Sequence, residues 1–471
     1  MLKDKIPELL NYIKGTSDTL QFNRTIFEIL EGDLLTKSDA ALKSQVISDR
    51  AYTQAKDRIP PINIIKRLTE KLTQLYTGKV VRTANKSSYQ KVVDFYETQF
   101  DLNEKFNQAN LFYNSNKLGM LEPYIDRDEE PMLRVLPPHR GLVYSDDPTD
   151  ETRPTTFIKL MGEYTKEDGV GRSVEFFFAY TDTEFIAFDA DGDLLPRFMI
   201  DNDGINPYEC LPLVYINKSD YLLIPIPDKD LLSMQILIVL LLTDLAFGIK
   251  YQAHAILWTK NADIENLDLN PNSYINLQTT DDGKEPSIGT IKPDIDIEST
   301  IAFVNELLNL WLESKNLKPT ASASTSNSDY LSSGIALMIR EIDTTMDVKR
   351  QMRKFVKGEA AFWKMMIKVH NYWVETGVVK GLPLLPDDFK VTVEHALPEP
   401  IIDEEKEVNL VLKQLNVTMT LKQALQRLYP QKSEKEIELL ATELSKIVEI
   451  AAADEDKDND EDDEDDTDPD T

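Results

Sequence analysis

Asp296-Ile-Glu-Ser-Thr-Ile-Ala-Phe-Val-Asn-Glu-Leu-Leu-Asn-Leu-Trp-Leu312, Thr320-Ala-Ser-Ala-Ser-Thr-Ser-Asn-Ser-Asp329 and the proline-free run from Leu331 to Trp373 lie in succession between Pro293 and Pro383. The first piece has helical periodicity, the second is a serine-rich bridge, and the third is a long helix-former. Such a bridge between two long helices is poor material for a catalytic pocket and suits a loop projecting from a rigid helical scaffold. In the first piece Ile297, Ile301, Val304, Leu308 and Trp311 step by four and three residues, while Phe303, Leu307 and Leu310 make a second apolar row beside them. Two rows require neighbours on two sides: either the core of a monomer supplies both, or the helix is wedged between copies in a ring.

The third piece carries Ile335, Met338, Ile339, Ile342 and Met346, then Phe355, Val356, Phe362, Trp363, Met366, Val369 and Trp373. Unbroken, it would be about 65 Å long, with Gly358 as the expected place for a bend. Lys349, Arg350, Arg353, Lys354 and Lys357 concentrate positive charge at its middle. They read either as a solvated or intersubunit salt-bridging stripe or as a surface for transient contact with phosphates.

Upstream, Asn63 is a candidate N-cap for a helix carrying Ile64, Ile65, Leu68, Leu72, Leu75 and Tyr76 and closed by Gly78; a further helix is expected from Phe95 to Lys117. From Met120 to Asn217 the period changes to two, in short runs punctuated by Pro and Gly: 132–136, 142–144, 156–160, 174–180, 184–188, 197–200 and 213–216. This is the pattern of an antiparallel sheet. Asp189-Ala-Asp-Gly-Asp193 invites a calcium reading, but an EF-hand loop needs glycine at its sixth position and a distant glutamate, so a hairpin turn is expected. A helix is expected from Asp228 to about Ala255, a small αβ insert from Leu257 to Pro293, and further helices after Leu397, with capping boxes at Thr420-Leu-Lys-Gln423 and Ser433-Glu-Lys-Glu436. The fold class is therefore α+β.

With 471 residues, 41% of them hydrophobic and 28% charged, the chain has ordinary globular composition. The net charge of −30 argues against a nucleic-acid binder held by phosphate neutralisation. The stretch from Asp454 to Thr471, however, holds 13 acidic residues and one lysine. It reads as a disordered acidic tail, either solubilising or able to dock a basic partner or to keep DNA from sticking. One cysteine, Cys210, excludes an intramolecular disulfide and reads as a small buried hydrophobe. The N-terminus has no signal-peptide pattern, and Leu231 to Leu242 is too short for a membrane span, so a buried helix, no membrane and synthesis in a reducing cytoplasm are expected. No P-loop, nucleophile elbow, histidine cluster or metal spacing is present, and neither an enzyme nor a cofactor is indicated.

The order of parts resembles the portal proteins of tailed bacteriophages of the siphophage type. The resemblance rests on Arg58-Ile-Pro-Pro-Ile-Asn63 followed by Tyr76-Thr-Gly-Lys79, on Val135-Leu-Pro-Pro-His139, Val143-Tyr-Ser-Asp146 and Pro207-Tyr-Glu-Cys-Leu-Pro-Leu-Val214, and on Ser332-Ser-Gly-Ile-Ala-Leu337 and Leu397-Pro-Glu-Pro400. It implies a ring, a dodecamer, at one capsid vertex of the virion, made in a bacterial host. Double-stranded DNA would pass its channel without sequence preference, and its partners would be terminase, scaffold, major capsid and head-completion proteins. In that frame residues 1–230 form a wing, 231–256 a wing and stem helix, 257–294 a clip and 295–317 a stem helix. Residues 318–330 form a tunnel loop, 331–376 a tunnel helix, 377–450 a crown and 451–471 the acidic tail. Thr320, Ser322, Ser324, Ser326, Asn327 and Ser328 would lie near DNA; Lys349, Arg350, Arg353, Lys354 and Lys357 would face the channel or a neighbour. Ile297, Ile301, Val304, Leu308 and Trp311 would form the intersubunit seam of the stem. Two other readings stand beside this one: a different structural ring of a phage or secretion apparatus, and an enzyme with an acidic solubility tail.

Overall fold

In the computed structural model, the described residues are 1–45, 48–147, 149–166, 171–199, 204–253, 256–260, 262–263, 278–279, 287–291, 296–315, 317, 345–395, 420–428, 437–438 and 440–442. The chain divides into two compact units, Met1–Pro398 and Glu399–Thr471. The first is a mixture of helix and antiparallel sheet, as the alternation of periods predicts.

Four helices open the chain: α1 (Ile6–Gly15), α2 (Ser17–Leu30), α3 (Leu34–Gln45) and α4 (Asp49–Lys56). Then comes α5 (Ile64–Leu72), whose Asn63 N-cap accepts the Lys66 amide at 2.9 Å. This helix stops at Leu72, ahead of the expected glycine. Leu75 and Tyr76 are nevertheless buried, in the turn that follows, where the Tyr76 hydroxyl donates to Glu359 at 2.7 Å. The helix expected from Phe95 to Lys117 is two, α6 (Gln90–Phe100) and α7 (Leu102–Asn116), broken at Asp101, which adopts φ 49°.

The sheet region forms two antiparallel sheets. One has the order β3 (Pro131–Val135), β2 (Leu118–Ile125), β8 (Val214–Asn217). The other runs β4 (Gly141–Tyr144), β5 (Thr156–Thr165), β6 (Ser173–Tyr180), β7 (Phe185–Asp189), with a bulge between Leu160 and Gly162. The run expected at 197–200 does not start as a strand: Pro196–Phe198 is a 3-10 turn, since Pro196 fixes φ and offers no amide to a ladder. The buried face of α1 (Ile6, Leu9, Ile13) packs on Ile158, Phe177, Ile186 and Phe188 of the four-stranded sheet.

A two-stranded ribbon joins β1 (Val80–Ala84) to β13 (Val391–His395) in antiparallel register, with Val80 opposite His395. Between them in sequence lie α8 (Lys229–Ala253), the short strands β9 (Ile256–Lys260), β10 (Ala262–Asp263), β11 (Gln278–Thr279) and β12 (Ser287–Ile291), α9 (Ile297–Ser314) and α10 (Thr345–Glu375). Strand β9 pairs with β12 and β10 with β11, all antiparallel. The largest core gathers α6, α7 and α10 around β1, β2 and β8, with Phe355, Phe362, Trp363 and Trp373 fully buried. Each such side chain contributes about 1.5–3 kcal/mol of hydrophobic stabilisation.

Helix α10 continues through Gly358 without a break. The glycine serves packing: a Cβ there would stand 2.6 Å from Ile216 Cδ1, so its absence lets the helix lie close on β8. In the second unit, α11 (Leu421–Leu428) begins with the expected capping box, Thr420 N donating to Gln423 Oε1 at 3.0 Å and Gln423 N to Thr420 Oγ1 at 3.4 Å. The box at Ser433 lies outside the described residues.

Candidate functional site

Helices α8 and α9 form one packed pair. The Asp296 side chain caps α9 by accepting the Ser299 amide at 2.9 Å. At its other end Lys315 bridges Asp228 (2.8 Å) and Asp230 (2.6 Å) before the start of α8 and in its first turn. The two carboxyls differ in acidity: burial pushes Asp228 up, while hydrogen bonding to Asp228 and to Lys315 holds Asp230 well below the usual range.

The two apolar rows of α9 have different fates. Val304, Leu308 and Trp311 are buried in a core with Ile26 and Ile29 of α2, Ile64 and Leu68 of α5, and Ile238 and Val239 of α8. Ile297 and Ile301 are half-buried nearer the helix start. In the second row Leu307 is half-buried, but Phe303 and Leu310 are 55% and 56% exposed. One row thus has its partner inside the chain, and the other presents two large apolar side chains to solvent.

Within α8, Gln235 does work that its position in an apolar run did not reveal. Its Oε1 accepts the Ile64 and Ile65 amides at 2.7 and 3.0 Å, and its Nε2 donates to the Ile62 carbonyl at 2.8 Å. It satisfies the free amides at the start of α5 and thereby locks α5 to α8. Over Lys229–Ile249, 21 residues with mean hydropathy 2.1, α8 is long and apolar enough to cross a membrane by length and composition. The expectation that it is too short came from a narrower window. Ile238, Val239, Leu240 and Leu242 are packed inside the protein.

On α10 the five basic residues named from the sequence share one side. Lys349, Arg350, Arg353 and Lys357 are exposed, and half-buried Lys354 is paired with Asp220. Lys364 and Lys368, also exposed, extend the row; Lys368 Nζ donates to the Glu209 carbonyl at 2.6 Å. At 100° per residue, Arg350, Arg353, Lys354, Lys357, Lys364 and Lys368 fall within an arc of about 100° and span roughly 27 Å. The spacing of Lys364 and Lys368, continuing from Lys357 at seven and eleven residues, carried this signal in the sequence. Behind the row, Glu359 is turned inward and fully buried, accepting from Arg82 Nε at 2.7 Å and Nη2 at 3.2 Å.

Asp189, Asp191 and Asp193 converge, as a calcium reading would have them. Lys166 lies among them, 3.0, 3.0 and 2.5 Å from the three carboxylates, and Tyr164 donates to Asp189 at 2.9 Å. The Asp191 and Asp193 amides donate to Asp189 Oδ1, and Gly192 has φ 93°, so the segment is a tight turn whose three carboxylates are partly compensated by Lys166 and by Arg172, 2.6 Å from Asp191. Cys210 is half-buried and burial pushes its thiol up to about 12. Thr320, Ser322, Ser324, Ser326, Asn327 and Ser328 lie outside the described residues, as do the start of the long third segment and the acidic tail.

No curated protein sequence matches the chain. A family model described as phage portal protein, SPP1 Gp6-like, matches residues 3–449. That match spans both units and all the elements described above, and the family it represents is structural and non-enzymatic. The chain belongs to the phage portal protein family, SPP1 Gp6-like.

Proposed function

We propose that this portal protein forms a ring, a dodecamer, at a unique capsid vertex. Double-stranded DNA is packaged through its channel by the terminase and later ejected, and head-completion and tail proteins dock on it. Scaffold and major capsid proteins are its other partners. The observation that carries the ring is the divided helix α9. Val304, Leu308 and Trp311 are committed inside the chain, while Phe303 and Leu310 on the same helix call for an apolar neighbour. A heterologous contact repeated around a closed axis supplies that neighbour to every copy. Within the stem, the contact between copies is assigned to Phe303, Leu307 and Leu310, flanked by half-buried Ile297 and Ile301.

In this reading residues 1–230 are the wing, α8 and α9 the stem, 257–294 the clip, 318–330 the tunnel loop, 331–376 the tunnel helix and 377–450 the crown. The basic row of α10 faces DNA or a neighbouring copy. A net charge of −30 beside one short cationic row is consistent with a conduit, because DNA that moves must not be held by many neutralised phosphates. Electron microscopy of the purified protein with native mass spectrometry tests the ring: a closed particle with a central channel and about twelve copies is expected, and a protein that stays monomeric in the presence of its scaffold refutes it. Deleting residues 320–329 should leave the ring intact and impair packaging. Loss of the ring, with normal packaging by whatever assembles, would overturn the loop's assignment.

A further inference from the structure

The β1–β13 ribbon closes over a group of ionisable side chains that neither ring formation nor DNA passage uses. His395, the last residue of β13, has a fully buried side chain, and neither of its ring nitrogens makes a well-formed hydrogen bond, the Leu75 backbone giving only a weak polar contact. Tyr76, from the turn after α5, meets its ring edge-on with centroids 4.9 Å apart. Glu359 of α10 lies 3.8 Å from Nε2. That carboxylate is already engaged: it accepts from the Tyr76 hydroxyl at 2.7 Å and twice from Arg82 of β1, whose guanidinium also reaches Glu97 of α6 and Asn103 of α7 at 2.8 Å. An imidazolium would therefore sit desolvated beside a fully buried guanidinium, with the Glu359 carboxylate beyond hydrogen-bond reach of Nε2 at 3.8 Å.

We propose that His395 is an acid-sensitive latch: neutral, it lets β13 close on β1 over Glu359 and Arg82, and on protonation β13 unzips from β1. Burial holds its basicity below the ordinary histidine range, although Glu359 and the Leu75 backbone pull the other way. A histidine whose folded form resists protonation supports the closed state above its ordinary value near 6.5 and withdraws that support as pH falls below it. The opening population should then rise by up to tenfold per pH unit.

Hydrogen exchange of the full-length protein, read by mass spectrometry from pH 7.5 to 5 and corrected for intrinsic rates, tests this. Peptides covering 80–84 and 391–395 should lose protection as pH falls below about 6.5, and His395→Gln should flatten that dependence. Unchanged protection in the wild type, an equal slope in His395→Gln, or an equal loss in every peptide of residues 1–398 would overturn the latch. Exchange at the histidine C2 carbon in the wild type gives a readout that needs no variant. Titration of His395 below the ordinary histidine value supports the latch, and titration at or above that value overturns it.

Discussion

Replacing Glu359 by Gln tests whether the buried charges of α10 hold the first unit together. Arg82 and Glu359 both have fully buried side chains, joined at 2.7 and 3.2 Å. Removing one partner of such a pair leaves the other desolvated and uncompensated, at a cost of about 3–5 kcal/mol. Here Glu97, about one-third exposed, still reaches Arg82 at 2.8 Å, and glutamine can still accept from Tyr76, so the lower end, about 3 kcal/mol, is expected. The assay is urea unfolding followed by the fluorescence of Trp363 and Trp373, which lie in the same core. The midpoint should fall with an unchanged slope. A double-mutant cycle with Arg82→Met and Glu359→Leu completes the test. The double variant should lose less than the sum of its single variants by more than about 1 kcal/mol, because no fully buried unpaired charge remains and the freed Glu97 is about one-third exposed. A cost for Glu359→Gln within about 0.5 kcal/mol, or single effects that simply add, would refute the reasoning.

Gly358→Ala should destabilise by about 1 kcal/mol or more despite its better helix propensity, because the new methyl meets buried Ile216; a gain in urea midpoint would overturn the packing argument. Phe303→Glu should abolish the ring in native mass spectrometry while leaving the circular dichroism spectrum intact, whereas Leu308→Ala should lower stability by about 2–5 kcal/mol because Leu308 lies inside the chain. His139 is held down to about 4, mainly by burial, so stability should fall as pH drops from about 6.5 towards 4, and His139→Gln should remove about 1–3 kcal/mol of that loss. Cys210, pushed up to about 12 by burial, should resist a thiol reagent at pH 8 until the protein is unfolded, and fast labelling of the native form would contradict its placement.

Much of the architecture was legible because it depends on short-range pattern. The Asn63 cap, the Thr420 capping box, the strands near 132–136, 142–144, 156–160, 174–180, 184–188 and 213–216 and the turn at Asp189 each need only a few neighbouring residues, and each is present in the structure, whereas β2 falls outside the expected runs and the one at 197–200 starts as a 3-10 turn. Local reading failed where a distant group decided the outcome. The end of α5 could not be placed at Leu72, because what keeps Leu75 and Tyr76 buried beyond it includes Glu359, nearly three hundred residues away. Gly358 looked like a bend because its reason, the side chain of Ile216, lies on another element. Gln235 looked like an interruption of an apolar helix because the amides it satisfies belong to α5.

The same division holds for the functional surfaces. Residue order alone established that α9 carries two apolar rows and that α10 carries a row of cations, since helical periodicity converts spacing directly into faces. It also pointed to the portal family through the succession of parts. Which row of α9 faces inward was settled only by packing: Val304, Leu308 and Trp311 meet α2, α5 and α8, leaving Phe303 and Leu310 exposed. The enclosure of His395 beside Glu359 and Arg82 is likewise a tertiary fact. A histidine at the end of a strand has no environment until Tyr76, Arg82 and Glu359, from three distant segments, are brought around it, and burial beside those groups, not its position in the chain, lowers its basicity.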